Sequence, residues 1–196
     1  VVDDLHQRLA FLLEVDRLKL VERQSKVASG WRRENSAEHS WHLALFALML
    51  GKDRPIDLLK TVTMLLIHDM VEIDAGDTPL HSGDRQDKLE AENAAAKRIF
   101  GLLPSEDGAE YLALWDEFEA GSSAEAIFAR GIDRLQPLLL NLANEGGTWV
   151  ENSVSEQAVM ARYGPVISAG LPDVWPAIEQ MVRRHFTERR PTMTLG

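Results

Sequence analysis

Residues 62–70 are nearly all apolar, inside a helical stretch capped by Asp57 and running over about 58–74. A helix that apolar belongs at the centre of a protein, with other helices packed around it. The rest of the chain reads the same way, because helical periodicity dominates. Leu5, Leu9, Leu12 and residues 18–21 mark a first helix with Asp3 or Asp4 as cap. Asn35-Ser36-Ala37-Glu38 pairs a capping residue with a first-turn carboxylate and starts a second helix to about Leu50, closed by Gly51 and Pro55. Further helices are expected over 84–103, 106–120, 123–144 and 173–189. Ser122 with Glu125, and Ser153 with Glu156, have capping-box spacing; the second pair opens one more helix. No run of alternating β-branched residues is present. The expected fold is all-α: a single globular bundle of about seven or eight helices over 1–196, with the C-terminal helices 153–190 packed on it.

The 196 residues include no Cys, which excludes disulfide scaffolds, thiolate metal sites and Cys nucleophiles. Any metal must be held by His, Asp or Glu. The net charge of −10 should repel polynucleotides and membranes, so neither a nucleic-acid polymer nor a membrane is an expected partner. The acidic start Val1-Val2-Asp3-Asp4 does not resemble a signal peptide, and the expected compartment is the cytoplasm. The acidity is uneven. Arg17, Lys19, Arg23, Lys26, Arg32 and Arg33 are accompanied between 17 and 33 by one acid, Glu22. That local charge leaves room for one small phosphate.

His68 and Asp69 follow Met64-Leu65-Leu66-Ile67, and Glu72 lies four and three residues further on. Helical spacing puts all three ionisable groups on one buried patch, where a cation would offset the desolvation. The alternative is a core His hydrogen-bonded to a carboxylate. His39 starts the second helix, where the positive helix end favours the neutral, ligating imidazole; His42 shares its face. The alternative for His39 is a solvent-facing helix start. Asp133 precedes Pro137 by four residues, and a kink there would help aim it; alternatively it pairs with Arg130 or Arg134 on a solvent face. His39, His68, Asp69 and Asp133 form a two-His, two-carboxylate set from three helices. Such donors suit Mn, Fe, Co, Ni or Zn and suit Ca less well.

The order His39, His68-Asp69, Asp133 resembles the HD-domain metal-dependent phosphohydrolases, and within them the 5′-deoxynucleotidase branch. The resemblance spans about 10–145 and rests on Glu34-Asn35-Ser36-Ala37-Glu38-His39-Ser40, on His68-Asp69-Met70-Val71-Glu72 and on Gly76-Asp77-Thr78-Pro79. Leu18-Lys19-Leu20 through Arg23, and residues 114–126, are also similar to this group. It implies one divalent metal ion (Mn, Co, Fe, Ni, Zn or Mg) held by His39, His68, Asp69 and Asp133. It implies Glu72 as the catalytic carboxylate, Asp77 as a catalytic or substrate-contacting residue, and Arg23 as the phosphate-binding arginine. The implied reaction is hydrolysis of nucleoside 5′-monophosphates, 2′-deoxynucleotides foremost, by a homodimer. Gln24 follows Arg23 where the bacterial branch has a sugar-pocket Trp, which leaves deoxyribose versus ribose open. Cyclic nucleotides or nucleoside triphosphates are alternative substrates, and a non-catalytic metal-binding regulator is the alternative from another class.

His81, in the polar stretch 74–88, either touches substrate or is a solvated loop residue. His6 and His185 read as structural, and Trp115, Trp149 and Trp175 as core or interface.

Overall fold

The computed structural model describes residues 2–77 and 85–188. The α-helices are α1 (Val2–Val15), α2 (Ser36–Leu50), α3 (Leu58–Ile67), α4 (Glu72–Ala75), α5 (Arg85–Phe100), α6 (Ser105–Ala120), α7 (Ala124–Ala143), α8 (Gly147–Glu151), α9 (Glu156–Gly170) and α10 (Trp175–Glu188). Apart from the single turns α4 and α8, that makes eight longer helices among the described residues, in line with the expected all-α bundle. No described helix is long and apolar enough to cross a membrane.

Local chemistry explains most helix starts. Asn35 Oδ1 accepts from the Glu38 backbone N–H at 2.9 Å, and the Glu38 carboxylate accepts from Asn35 N–H at 3.2 Å, a complete capping box. Arg32 grips the same Glu38 with two bonds of 2.7 Å. Asp57 Oδ1 caps α3 through Lys60 N–H at 3.0 Å. The other two expected boxes are displaced. Ser123 rather than Ser122 caps α7, while the Glu125 carboxylate instead accepts from Asp57 N–H at 3.0 Å. Ser155 rather than Ser153 caps α9, Ser153 being in a left-handed turn at φ 53°.

Three expectations change. The first helix ends at Val15, and residues Asp16–Leu20 form a 3₁₀ turn. The helix expected over 58–74 divides into α3, a 3₁₀ turn at His68–Val71, and α4. The stretch between the first two helices forms an antiparallel hairpin of β1 (Glu22–Lys26) and β2 (Arg33–Asn35), with Glu22 opposite Asn35 and Lys26 opposite Arg33. Nothing in Glu22-Arg23-Gln24-Ser25-Lys26 signals a strand. The hairpin is held from outside, by Asn144 donating to the Val27 carbonyl at 3.0 Å.

The core has two parts. Leu43, Met64, Leu65, Ile132, Leu135, Leu138, Ile167 and Val182 join α2, α3, α7, α9 and α10. Phe11, Ile67, Val71, Ile99, Phe100 and Trp115 join α1, the end of α3, the second 3₁₀ turn, α5 and α6. The helix α9 packs on α7, and α10 packs on α9. Trp115 and Trp149 are buried and Trp175 packs at the core edge. The helix α3 is less central than its composition implies: Met64 and Leu65 are fully buried, but Leu59 and Leu66 are 78% and 41% exposed.

Candidate metal and phosphate site

Three elements converge where the two cores meet. The first turn of α2 supplies His39, the 3₁₀ turn supplies His68 and Asp69, and the middle of α7 supplies Asp133. Donor atoms of His39, His68 and Asp69 lie within 4.8 Å of one another. Asp133 Oδ1 is 3.0 Å from His39 Nε2 and 3.7 Å from His68 Nε2. All four expected ligands are therefore brought together; His39 is fully buried and Asp133 nearly so, although Asp133 does form the ion pair with Arg134 that the alternative reading expected. Arg130 turns away from Asp133 to the Phe118 carbonyl, and Arg134 Nη1 approaches Asp133 Oδ2 at 3.4 Å.

The imidazoles are oriented for ligation. His68 Nδ1 donates to the Leu65 carbonyl at 2.9 Å, which directs the Nε2 lone pair into the cluster. His68 Nε2 is 3.0 Å from Asp69 Oδ1, yet no hydrogen bond forms, and this buried nitrogen lacks a hydrogen-bond partner. A close but misaligned approach of nitrogen and oxygen is what atoms aimed at a shared cation would show. Two imidazole nitrogens and two carboxylates fit a divalent transition metal on geometry and on donor chemistry.

Without a cation, the clustered carboxylates favour a protonated His68, whose Nε2 proton a bound metal would displace. Burial favours a neutral His68, but Asp69 and Asp133 outweigh it and hold the imidazole well above its usual range. Burial raises the Asp69 carboxyl, but His68 and Arg23 overcome this and hold it well below the carboxylate range. Burial acts likewise on Asp133, where Arg134 and the hydrogen bond from His39 prevail.

Arg23 and Glu72 adjoin this cluster. Arg23 Nη1 donates to Asp69 Oδ2 at 2.7 Å and lies 3.9 Å from Glu72 Oε1. Burial works against its charge, but Asp69, Glu72, Asp133 and Asp77 together hold the guanidinium protonated. The Glu72 carboxyl is pushed up to about 8, by burial first and then by Asp69, against Arg23 and a 2.6 Å bond from Ser36 Oγ. Gly76, at φ 74°, turns the chain after α4, a conformation glycine adopts without strain. Asp77 follows half-buried, its charge acting on both Arg23 and Glu72. His81 lies outside the described residues.

The local cation excess mostly does not reach the site. Arg17 pairs with Glu14 at 2.7 Å, Lys26 with Glu151 at 2.5 Å and Arg32 with Glu38 at 2.7 Å, while Lys19 pairs with Asp16. Arg33 faces Glu151 at 3.8 Å. Arg23 is the member of the set that enters the site.

Sequence reasoning missed two buried polar residues behind His39. Gln136 Oε1 is 3.0 Å from His39 Nδ1, and Gln136 Nε2 donates to Glu34 Oε1 at 2.6 Å. A signal existed for Gln136: it is polar in an apolar run and one helical turn past Asp133. Ser36, beneath Glu72, was also passed over.

Comparisons with known proteins give the chain's relatives. The HD domain family model matches residues 15–175. A human protein named 5'-deoxynucleotidase HDDC2 is 35% identical over 133 residues, covering 67% of this chain and 65% of that protein. The chain thus spans just under two-thirds of that relative's length. A solved structure from Magnetospirillum magnetotacticum MS-1, described as a predicted metal-dependent phosphohydrolase, is 45% identical with a TM-score of 0.88 over 93% of both chains. A structure from Pyrococcus horikoshii OT3 is 25% identical with a TM-score of 0.67, covering 88% of this chain and 99% of that one. The chain belongs to the HD domain family.

Proposed function

We propose that this protein is a metal-dependent phosphomonoesterase that hydrolyses nucleoside 5′-monophosphates, 2′-deoxynucleotides foremost, to nucleoside and phosphate. The observation that carries this is the meeting of His39, His68, Asp69 and Asp133 with one buried arginine and one buried carboxyl of raised pKa. The names of the human and Magnetospirillum relatives support the same reaction class.

His39, His68, Asp69 and Asp133 would hold one divalent ion. When bound, such an ion lowers the pKa of water toward 7 and polarises a phosphoryl oxygen. Arg23 binds the phosphate: one Nη is on Asp69, its buried Nε has no hydrogen-bond partner, and the planar fork suits a phosphoryl face. Glu72 manages the protons. Ser36 Oγ–H occupies its Oε2, so Oε1, on the Arg23 side, exchanges a proton with the attacking water and the departing O5′. The water loses one proton and O5′ gains one, so the carboxyl ends as it began. Asp77, beside both groups, contacts the substrate.

The pairing of Arg17, Lys19, Lys26, Arg32 and Arg33 with acids favours a single phosphate over a triphosphate. A homodimer is supported by the exposed Trp41, Leu45, Leu48 and Met49, spaced along one face of α2, and by Leu59 and Leu66 on the neighbouring α3.

The test is phosphate release from nucleoside mono-, di-, tri- and cyclic phosphates with Mn²⁺, Co²⁺, Mg²⁺ or a chelator. Release from monophosphates only, abolished by chelator, is expected. Release from none of them overturns the proposal.

A further inference from the structure

We propose that Glu34 is a positioning residue that fixes, through Gln136, which ring nitrogen of His39 carries the proton. The inference rests on the metal role proposed for His39. The chain of contacts is short and dry: Glu34 is 3% exposed, and His39 and Gln136 are 0% exposed. Gln136 Nε2 donates to Glu34 Oε1 at 2.6 Å and approaches His42 Nδ1 at 3.2 Å, while Gln136 Oε1 lies 3.0 Å from His39 Nδ1.

The orientation of an amide follows from its neighbours. Turned over, Gln136 would set its carbonyl oxygen against the Glu34 carboxylate, two acceptors with no hydrogen between them. Its amide group would then face His39 Nδ1 and require a lone pair there, moving the ring proton to Nε2. An Nε2–H would point at Asp133 Oδ1, 3.0 Å away, and could not ligate a metal. The Glu34 carboxylate excludes that arrangement. Gln136 therefore presents its oxygen and holds a proton on His39 Nδ1, so that the proton a metal displaces is the one Nε2 shares with Asp133, leaving the Nε2 lone pair to ligate.

This also gives the small hairpin a purpose. Glu34 is the central residue of β2, and the strand carries it in beneath His39. Its second oxygen, Oε2, is buried without a hydrogen-bond partner, 3.6 Å from His39 Nδ1 and 3.9 Å from the similarly unpartnered Nε of Arg23, so the carboxylate also favours the Nδ1 proton directly.

The test is calorimetric titration of Mn²⁺ into the metal-free protein, with ¹⁵N NMR of the histidine rings to read the tautomer. Glu34→Gln retains an acceptor oxygen and should keep Mn²⁺ affinity within about threefold, whereas Glu34→Leu and Gln136→Leu should lose about 10- to 100-fold. Both Leu variants should also lose the Nδ1-protonated signature of His39. Gln136→Glu sets two carboxylates face to face and should bind weakly. Adding Glu34→Gln to it restores a donor–acceptor pair and should recover most of the loss. Folded Leu variants with parental affinity and an unchanged tautomer would overturn the proposal. If those variants do not fold, a double variant no better than Gln136→Glu alone would overturn it. Absence of Mn²⁺ binding by the parent would instead remove the metal role of His39, while the NMR signature still decides what Glu34 does.

Discussion

Arg23 Nη1 and Asp69 Oδ2 are 2.7 Å apart, and the other oxygen of the same carboxylate faces His68 Nε2 at 3.0 Å. One buried carboxylate thus joins the phosphate-binding candidate to the metal-binding set. Removing one partner of a buried ion pair leaves the other charge uncompensated, at a cost of about 3–5 kcal/mol. Arg23→Ala should therefore destabilise the metal-free protein by that order. Saturating Mn²⁺ should restore part of the loss, because a dication also compensates Asp69. Urea midpoints with EDTA and with Mn²⁺ check this; equal losses in both conditions would separate Arg23 from the metal set.

Glu72 is buried beside the cluster but lies outside the four converging ligands. Glu72→Ala should keep metal content at the parental level and lower kcat by about 10²- to 10⁴-fold, the usual worth of a positioned proton-transfer group. Metal analysis and steady-state kinetics on the same preparation would show it. A near-parental rate would assign proton transfer to another group.

Asp133→Ala should behave in the opposite way, losing the metal and with it the activity. Full metal occupancy in that variant, by elemental analysis, would remove Asp133 from the ligand set.

The Glu72 carboxyl also gives a pH signature. It is pushed up to about 8 from 4.5, by burial and then by Asp69. Between those values the folded protein holds a proton that the unfolded chain releases. In EDTA-treated protein this contribution to stability is complete below about pH 4.5 and is lost as pH rises toward 8. Glu72→Gln should remove that part of the slope. Urea midpoints at pH 5, 6.5 and 8 measure it, and parallel profiles for parent and variant would contradict the assignment.

Leu45→Asp on the exposed face of α2 should convert a dimer to monomers without loss of helicity. Light scattering with circular dichroism checks this; an unchanged mass would move the interface elsewhere.

Most helices were legible because caps and apolar spacing are local signals, as at Asn35 with Glu38 and at Asp57. The same locality made part of the site legible: His68, Asp69 and Glu72 stand out as ionisable groups in and just after an apolar run. What escaped depends on distant contacts. Glu22-Arg23-Gln24-Ser25-Lys26 becomes a strand because Arg33–Asn35 pairs with it and Asn144 holds the turn. The 3₁₀ turn at His68–Val71 is invisible to periodicity, since spacings of three and four suit either helix type. The contact of Glu34 with Gln136 joins residues far apart along the chain and leaves no local signal.

The most direct measurement is the initial rate of phosphate release from a 2′-deoxynucleoside 5′-monophosphate as Mn²⁺ is titrated into metal-free protein. The rate should rise linearly and level off at one equivalent per chain, as expected for one ion held by His39, His68, Asp69 and Asp133. No release at any ratio, or equal release in excess EDTA, would contradict a metal-dependent phosphomonoesterase.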